Sequence, residues 1–65
     1  MSETDFASVL RQQIRKDMNN YADDIAGGVC RSFDEYQKLV GVIQGLALAE
    51  SYLLALLEKA TKSDE

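Results

Sequence analysis

The sequence contains no proline, no histidine and no tryptophan, and it has one cysteine among its 65 residues. Without histidine the usual general base is missing, which excludes Ser-His-Asp and Cys-His catalysis. One cysteine without histidine cannot form a thiolate or imidazole zinc site, and it cannot form a disulfide within the chain. These absences predict a protein that is not an enzyme and that binds no metal ion or other cofactor.

Charge and hydrophobic content narrow the class further. The chain has 7 Lys and Arg residues against 11 Asp and Glu residues, a net charge of −4. Affinity for nucleic acid comes mainly from basic side chains that neutralise phosphates, so the acidic balance argues against direct nucleic-acid binding. A hydrophobic fraction of 46% is too high for a disordered chain of modest charge, and the length suits one small domain over residues 1–65.

The absence of proline favours long uninterrupted helices. Steps of three and four residues place the apolar side chains of the first half on one stripe, which predicts an amphipathic helix over about residues 4–26. Ser2 or Thr4 is expected to cap its start, and Gly27-Gly28 to end it, because glycine adopts a left-handed backbone without steric cost. The stripe comprises Phe6, Val9, Leu10, Ile14, Met18, Tyr21, Ala22 and Ile25.

The segment Ser32-Phe33-Asp34-Glu35 has the form of a capping box. In such a box the Ser32 hydroxyl accepts a hydrogen bond from the amide of Glu35, and the Glu35 carboxylate accepts one from the amide of Ser32. The box predicts a second helix over roughly residues 33–62, since no helix breaker follows before Ser63. Because the turn between the helices is short, the predicted fold is an all-α, antiparallel two-helix hairpin.

The second predicted helix carries two apolar ladders. The first helix can cover only one of them, and a hairpin of this size is marginally stable alone, because ordering the backbone costs about as much as burial returns. The ladders therefore predict assembly into an oligomeric helical bundle of coiled-coil type, formed with further copies or with a hetero-partner. One ladder comprises Leu39, Val42, Leu46, Ala49, Leu53, Leu56 and Ala60, and the other comprises Val40, Ile43, Ala47, Leu54 and Leu57.

The same segment raises the alternative of a membrane span. Residues 39–57 are mostly apolar and approach the length of a spanning helix. Gln44, Glu50 and Ser51 lie inside the segment, and a central Glu costs on the order of 3 kcal/mol on an insertion scale. We therefore expect a helix that is buried in protein and not in a membrane.

Two glycines and a glutamate stand out within these ladders. Gly41 and Gly45 weaken a helix, and close approach of another helix would offset that loss; exposure to solvent is the alternative. Glu50 is the best candidate for a specificity contact, because a buried carboxylate needs a donor from Arg11, Arg15 or another chain; an exposed position is again the alternative. The predicted interface comprises Leu39, Gly41, Val42, Gly45, Leu46, Ala49, Glu50, Leu53 and Leu56.

Two further acidic residues lie at an electrostatically unfavourable place. Asp23 and Asp24 oppose the dipole at the end of the first helix. A salt bridge with a partner, either Arg31 or another chain, would account for them.

The residues from Glu35 to Glu50 begin with an acidic-aromatic pair and continue as Gly-x-Ile-x-Gly-Leu-Ala-x-Ala-Glu. This run resembles small proteins encoded by tailed bacteriophages near head and tail structural genes. The turn Asp23-Asp24-Ile25-Ala26-Gly27-Gly28 is also similar, and the likeness covers about residues 22–57. The resemblance implies a phage origin, a helical hairpin, and a role in the virion or its assembly; it brings no catalytic residues.

Two hypotheses of function follow. In the first, the chain is a structural or assembly protein that packs through its long second helix against itself or a larger virion protein, with the head-to-tail region as a candidate place. In the second, it is a small acidic regulatory protein that binds and inhibits a host enzyme or transcription protein. Both place the chain in the virion or the host cytoplasm.

Overall fold

The computed structural model describes the backbone of residues 3–63 and the side chains of residues 5–60. It contains two helices, α1 (Glu3–Ala26) and α2 (Phe33–Ser63), joined by a short turn. The predicted all-α hairpin is confirmed, and each helix begins and ends within one residue of its predicted position. Ser2 and the Thr4 side chain, the expected caps of α1, lie outside the described residues. Assembly into a larger bundle stays a prediction.

The end of α1 is a Schellman motif built on two glycines. Gly28 has a φ of 81°, and its N–H donates to the Ile25 carbonyl at 3.2 Å. The N–H of Val29 donates to the Asp24 carbonyl at 3.1 Å, which completes the pair of bonds that defines the motif. Because a left-handed backbone is rarely adopted by residues with a Cβ, Gly28 is the residue that allows the chain to leave the helix here.

The start of α2 is capped by Ser32, but the predicted box is half right. The amide of Glu35 donates to the Ser32 hydroxyl at 3.1 Å, as expected. The Glu35 carboxylate accepts the amide of Arg31 at 2.7 Å, and not that of Ser32. The two amides are neighbours just before the first helical turn, and a glutamate side chain is long enough to reach the farther one. The Ser32 hydroxyl still satisfies an amide that the helix leaves without an acceptor, and the Glu35 carboxylate satisfies an amide just before the helix.

The helices pack antiparallel along what we call the inner seam. On α1 the seam has two buried side chains, Ala7 and Ile14, and its members after Ile14 are half-buried. On both helices the seam residues recur in steps of three and four, with Arg11 filling the step between Ala7 and Ile14, as in coiled coils. The inner seam comprises Ala7, Ile14, Met18, Tyr21 and Ile25 on α1, and Leu39, Ile43, Leu46, Glu50, Leu53 and Leu57 on α2.

This seam corrects the prediction of two separate ladders on α2. The seam takes members from both, so α1 covers neither ladder as a whole. Ala49 and Leu56 of the first ladder are exposed, while Ile43 and Leu57 of the second are half-buried. The reason is geometric: the two ladders lie side by side on the helix, and α1 packs over the line between them.

Candidate interaction surface

Glu50 is the one polar residue that the described part of the hairpin buries, with 6% of its surface exposed. It occupies a seam position between Leu46 and Leu53, where a coiled coil normally carries an apolar residue. Arg15 binds it with two hydrogen bonds, from Nε to Oε2 at 2.6 Å and from Nη2 to Oε1 at 2.9 Å. Arg11 adds a longer contact, from Nε to Oε2 at 3.4 Å. Of the alternatives left open by the sequence, burial with arginine donors is the one the structure shows.

The arginines also set the charge state of this carboxylate. Hydrogen bonds from Arg15 lower the pKa of Glu50, burial opposes them, and the charge of Arg15 and the contact with Arg11 lower the pKa further, so the net direction is downward. Arg11 and Arg15 remain about half exposed, because the hairpin is too thin to enclose them. Glu50 is thus shielded by side chains that themselves reach water, and it stays ionised at neutral pH.

Away from the inner seam, the hairpin leaves a large apolar area uncovered. Tyr52 and Leu56 are each more than 60% exposed, and Leu48 is 52% exposed. An exposed apolar surface of this extent on a small protein is typical of an interaction site. The large apolar side chains exposed among the described residues are Phe6, Val9, Leu10, Val29, Phe33, Tyr36, Leu48, Tyr52, Leu54 and Leu56.

One exposed line on α2 is unusually regular, and we call it the outer seam. Its members follow one another in strictly alternating steps of four and three residues, which keeps them on one face of the helix. All of them are exposed, and this face lies roughly opposite the inner seam. The outer seam comprises Asp34, Lys38, Gly41, Gly45, Leu48, Tyr52, Ala55 and Lys59.

Within the outer seam the two glycines make a shallow channel. A Cβ placed on Gly41 or Gly45 would meet no described atom within 4 Å. The hairpin alone therefore gives no reason for glycine at either position. Of the two alternatives stated above, solvent exposure holds within a single chain, and close approach of a helix requires another molecule.

The predicted interface residues divide between the two faces of α2. Leu39, Leu46 and Leu53 are half-buried in the inner seam, where Glu50 is buried, and Val42 is half-buried beside it, whereas Gly41, Gly45, Ala49 and Leu56 are exposed. Sequence reasoning placed Leu48, Tyr52 and Ala55 in neither ladder. The alternating step that begins at Asp34 is the signal that could have found them.

Asp23 and Asp24 are exposed at the end of α1, and their backbone carbonyls accept the hydrogen bonds that close the helix. In the part of the chain that the structure describes, neither forms the ion pair with Arg31 that the sequence suggested. A salt bridge with another chain stays a prediction.

The described residues contain no group of three or more His, Cys, Asp or Glu side chains that could hold a metal ion. A surface depression of about 530 Å³ is lined by side chains between Arg11 and Asn20 of α1, so its walls are the outside of one helix. By length and composition α2 could cross a membrane over Phe33–Ala60, a criterion that the core helices of soluble proteins also meet.

Comparison with protein families, curated proteins and solved structures finds no match to the chain.

Proposed function

We propose that the chain is a non-enzymatic structural or assembly protein of a tailed bacteriophage, which works by packing α2 against another protein surface. The observation that carries the proposal is the exposed apolar face of α2, which includes Leu48, Tyr52 and Leu56. Each such side chain contributes about 1.5–3 kcal/mol when it is fully buried, so a partner would add much of the stability that the hairpin lacks. The phage assignment is supported by the resemblance of residues 35–50.

The proposal places α2 against protein and not in lipid. Glu50 lies near the middle of α2, where a spanning helix would meet the centre of the bilayer, and its partners Arg11 and Arg15 lie beside it on α1. Charged side chains there cost about 2.5–3.5 kcal/mol each on an insertion scale. The neighbouring helix α1 is rich in charged and amide side chains, so its outer face is better suited to contact with water than with lipid. On this proposal the protein belongs in the virion or the host cytoplasm and has no direct contact with nucleic acid.

Quantitative mass spectrometry of purified particles and of infected-cell lysate tests the proposal. A virion protein is expected at a fixed copy number per particle across independent preparations, after treatment that strips loosely bound protein. Detection in lysate but not in particles, nor in assembly intermediates such as empty heads, would contradict a structural or assembly role. That outcome would instead favour the regulatory hypothesis, which affinity capture of a host protein would then examine.

A further inference from the structure

We propose that a second copy of this chain covers the outer seam, with the two α2 helices packed antiparallel about a two-fold axis. The inference rests on the proposed function, because it names the partner of the same surface. Three features of the outer seam carry it: the symmetry of its spacing, the sizes of its residues and the charges at its ends.

The spacing is the same when it is read from either end. From Asp34 to Lys59 the steps alternate four, three, four, three, four, three, four. Two antiparallel copies of this line therefore align over its whole length, and one register pairs every member with a member of the other copy. That register sets Gly45 against the second copy's Leu48, and Gly41 against its Tyr52. Self-complementary pairing of this kind is what a two-fold interface requires.

The sizes of the paired residues are complementary. Gly41 and Gly45 leave open space on one half of the outer seam. Leu48 and Tyr52 project from the other half and are 52% and 61% exposed. In the antiparallel register each large side chain lies over a glycine of the second copy, in the manner of a knob in a hole. The dimer would therefore explain both glycines, because they allow the large side chains of the second copy to approach α2 closely without a clash.

Charge selects the antiparallel direction. Asp34 and Lys59 lie at the two ends of the outer seam, and the antiparallel register places each beside the other in the second copy. Lys38 lies over the second copy's Ala55, where its aliphatic stem can cover the small side chain. A parallel arrangement would bring Asp34 against Asp34 and Lys59 against Lys59, and would stack tyrosine on tyrosine and glycine on glycine. Like-charge contacts and mismatched sizes disfavour that arrangement.

Charge reversal tests the register directly. Asp34→Lys and Lys59→Asp are each expected to raise the dimer dissociation constant roughly tenfold, since each change affects two symmetry-related contacts. The double variant, Asp34→Lys with Lys59→Asp, is expected to return close to the original value, because the attractive pair is restored with its signs exchanged. The dissociation constants are measured by sedimentation equilibrium under reducing conditions, which keeps Cys30 from cross-linking the chains.

Lys16→Asp is the matched control. It makes the same change in net charge as Lys59→Asp at an exposed position on α1, outside both seams, and is expected to leave the dimer unchanged. Far-UV circular dichroism of every variant shows that the helices are retained. Asp34 also lies in the first turn of α2, where an acid favours the helix, so helicity of the Asp34→Lys variants is compared at matched dimer fraction.

The outcomes separate this inference from the proposed function. Single reversals without effect, or a double variant as weak as the single ones, would overturn the antiparallel register. A chain that remains monomeric at a concentration of about 100 μM would overturn the dimer itself. So would a chain that dissociates when phospholipid vesicles are added and floats with them. A particle protein that stays monomeric would still satisfy the proposed function, whereas a chain that floats with vesicles would contradict both the dimer and the packing of α2 against protein. Absence from particles together with a restored double variant would leave the dimer standing and remove the phage structural role.

Discussion

At position 50 a carboxylate stands in a seam that is otherwise apolar, and its neighbours explain how the hairpin tolerates it. Arg15 meets both carboxylate oxygens, and Arg11 reaches one of them from the preceding turn of α1. An ionised group that is removed from water needs both opposite charge and hydrogen bonds, and the arginines supply them together. Because their own head groups stay partly in water, the cost of removing them from solvent is small.

The lowered pKa of Glu50 makes a prediction about acid. A carboxylate whose pKa is lower in the folded chain contributes stability above its ordinary value of 4.5, and that contribution is lost as the pH falls through the lowered value. We expect Glu50→Gln to be less stable than the native chain at pH 7, and to lose less stability on acidification. Urea unfolding between about pH 7 and pH 3 measures both.

Asp24→Asn is the control for this comparison, since it removes an exposed carboxylate that has no arginine partner among the described residues. It is expected to keep the acid sensitivity of the native chain. Parallel pH profiles for the native chain and Glu50→Gln would mean that the Arg15 contact does not persist in solution.

The Ser32 cap gives a second prediction at this scale. Ser32→Ala removes the acceptor of the Glu35 amide, and we expect it to lower the free energy of unfolding by about 1 kcal/mol. Ser51→Ala is the matched control. The Ser51 hydroxyl donates to the Leu48 carbonyl inside α2, a contact that contributes no stability to a helix. Chemical denaturation compares them, and an equal loss in both variants would show that the cap adds nothing beyond a general effect of the substitution.

At the scale of a helix, the local signals in the sequence were sufficient. The capping serine and the paired glycines act on backbone groups within a few residues, so both ends of the turn could be predicted without knowledge of the partner helix. The face that α2 turns toward α1 could not be predicted in the same way. Leu56 and Leu57 are neighbours of the same type, yet Leu56 is exposed and Leu57 is half-buried, and only the packing of α1 distinguishes them.

The position of Glu50 was undecided for a related reason. Burial of a carboxylate depends on where donors fall on the other helix, which is a matter of tertiary alignment and not of local pattern. The sequence offered Arg11 and Arg15 as candidate donors, but it gave no measure of their distance. The outer seam could not be predicted from the hydrophobic pattern, because more than half of its members are glycines or charged residues that such a pattern does not include.

Gly45 connects helix stability to association. In the single hairpin a Cβ at Gly45 meets no described atom within 4 Å, and Gly45→Leu raises intrinsic helix propensity by somewhat under 1 kcal/mol. In the proposed dimer the added side chain overpacks the contact with Leu48, at a cost of typically 1–3 kcal/mol. We therefore expect the variant to keep its helical signal per folded chain and to associate more weakly, as measured by sedimentation equilibrium.

Ala47→Leu provides the comparison for this variant. It adds a leucine at an exposed position of α2 that lies outside the outer seam, and it is expected to leave association unchanged. A Gly45→Leu chain that is more helical and equally associated would place the glycine toward solvent in the assembly as well.

The whole molecule is a rod with Cα extents of 51 × 18 × 12 Å. Its two helices lie side by side in a single layer, so no residue is enclosed by protein on all sides. Ala7 and Ile14 are the buried apolar side chains of the described part, which is a small core even for a short chain. Most apolar side chains of the described part therefore keep some contact with water in the single chain.

We expect the stability of this protein to increase with protein concentration. If folding and association are linked, the melting temperature rises with protein concentration, because a partner binds the folded state and not the unfolded chain. We expect a measurable rise over a hundredfold range of concentration, and a smaller one for Asp34→Lys. Calorimetry measures the temperature, and light scattering the mass. A constant melting temperature with a monodisperse mass of 7.2 kDa would contradict the expectation.

The ion pair in the inner seam also decides how the two helices can align. A seam with a heptad repeat allows one helix to slide past the other by seven residues with little loss of apolar contact. Such a slip would bring Leu57 to the arginines and leave Glu50 beside Met18, without a donor. The ion pair therefore penalises the misaligned hairpin, in addition to the short turn, whose capping bonds such a slip would also break. Glu50→Leu would remove the penalty from the ion pair, so we expect a chain that stays helical but shows more than one set of amide resonances, as two slipped hairpins exchange.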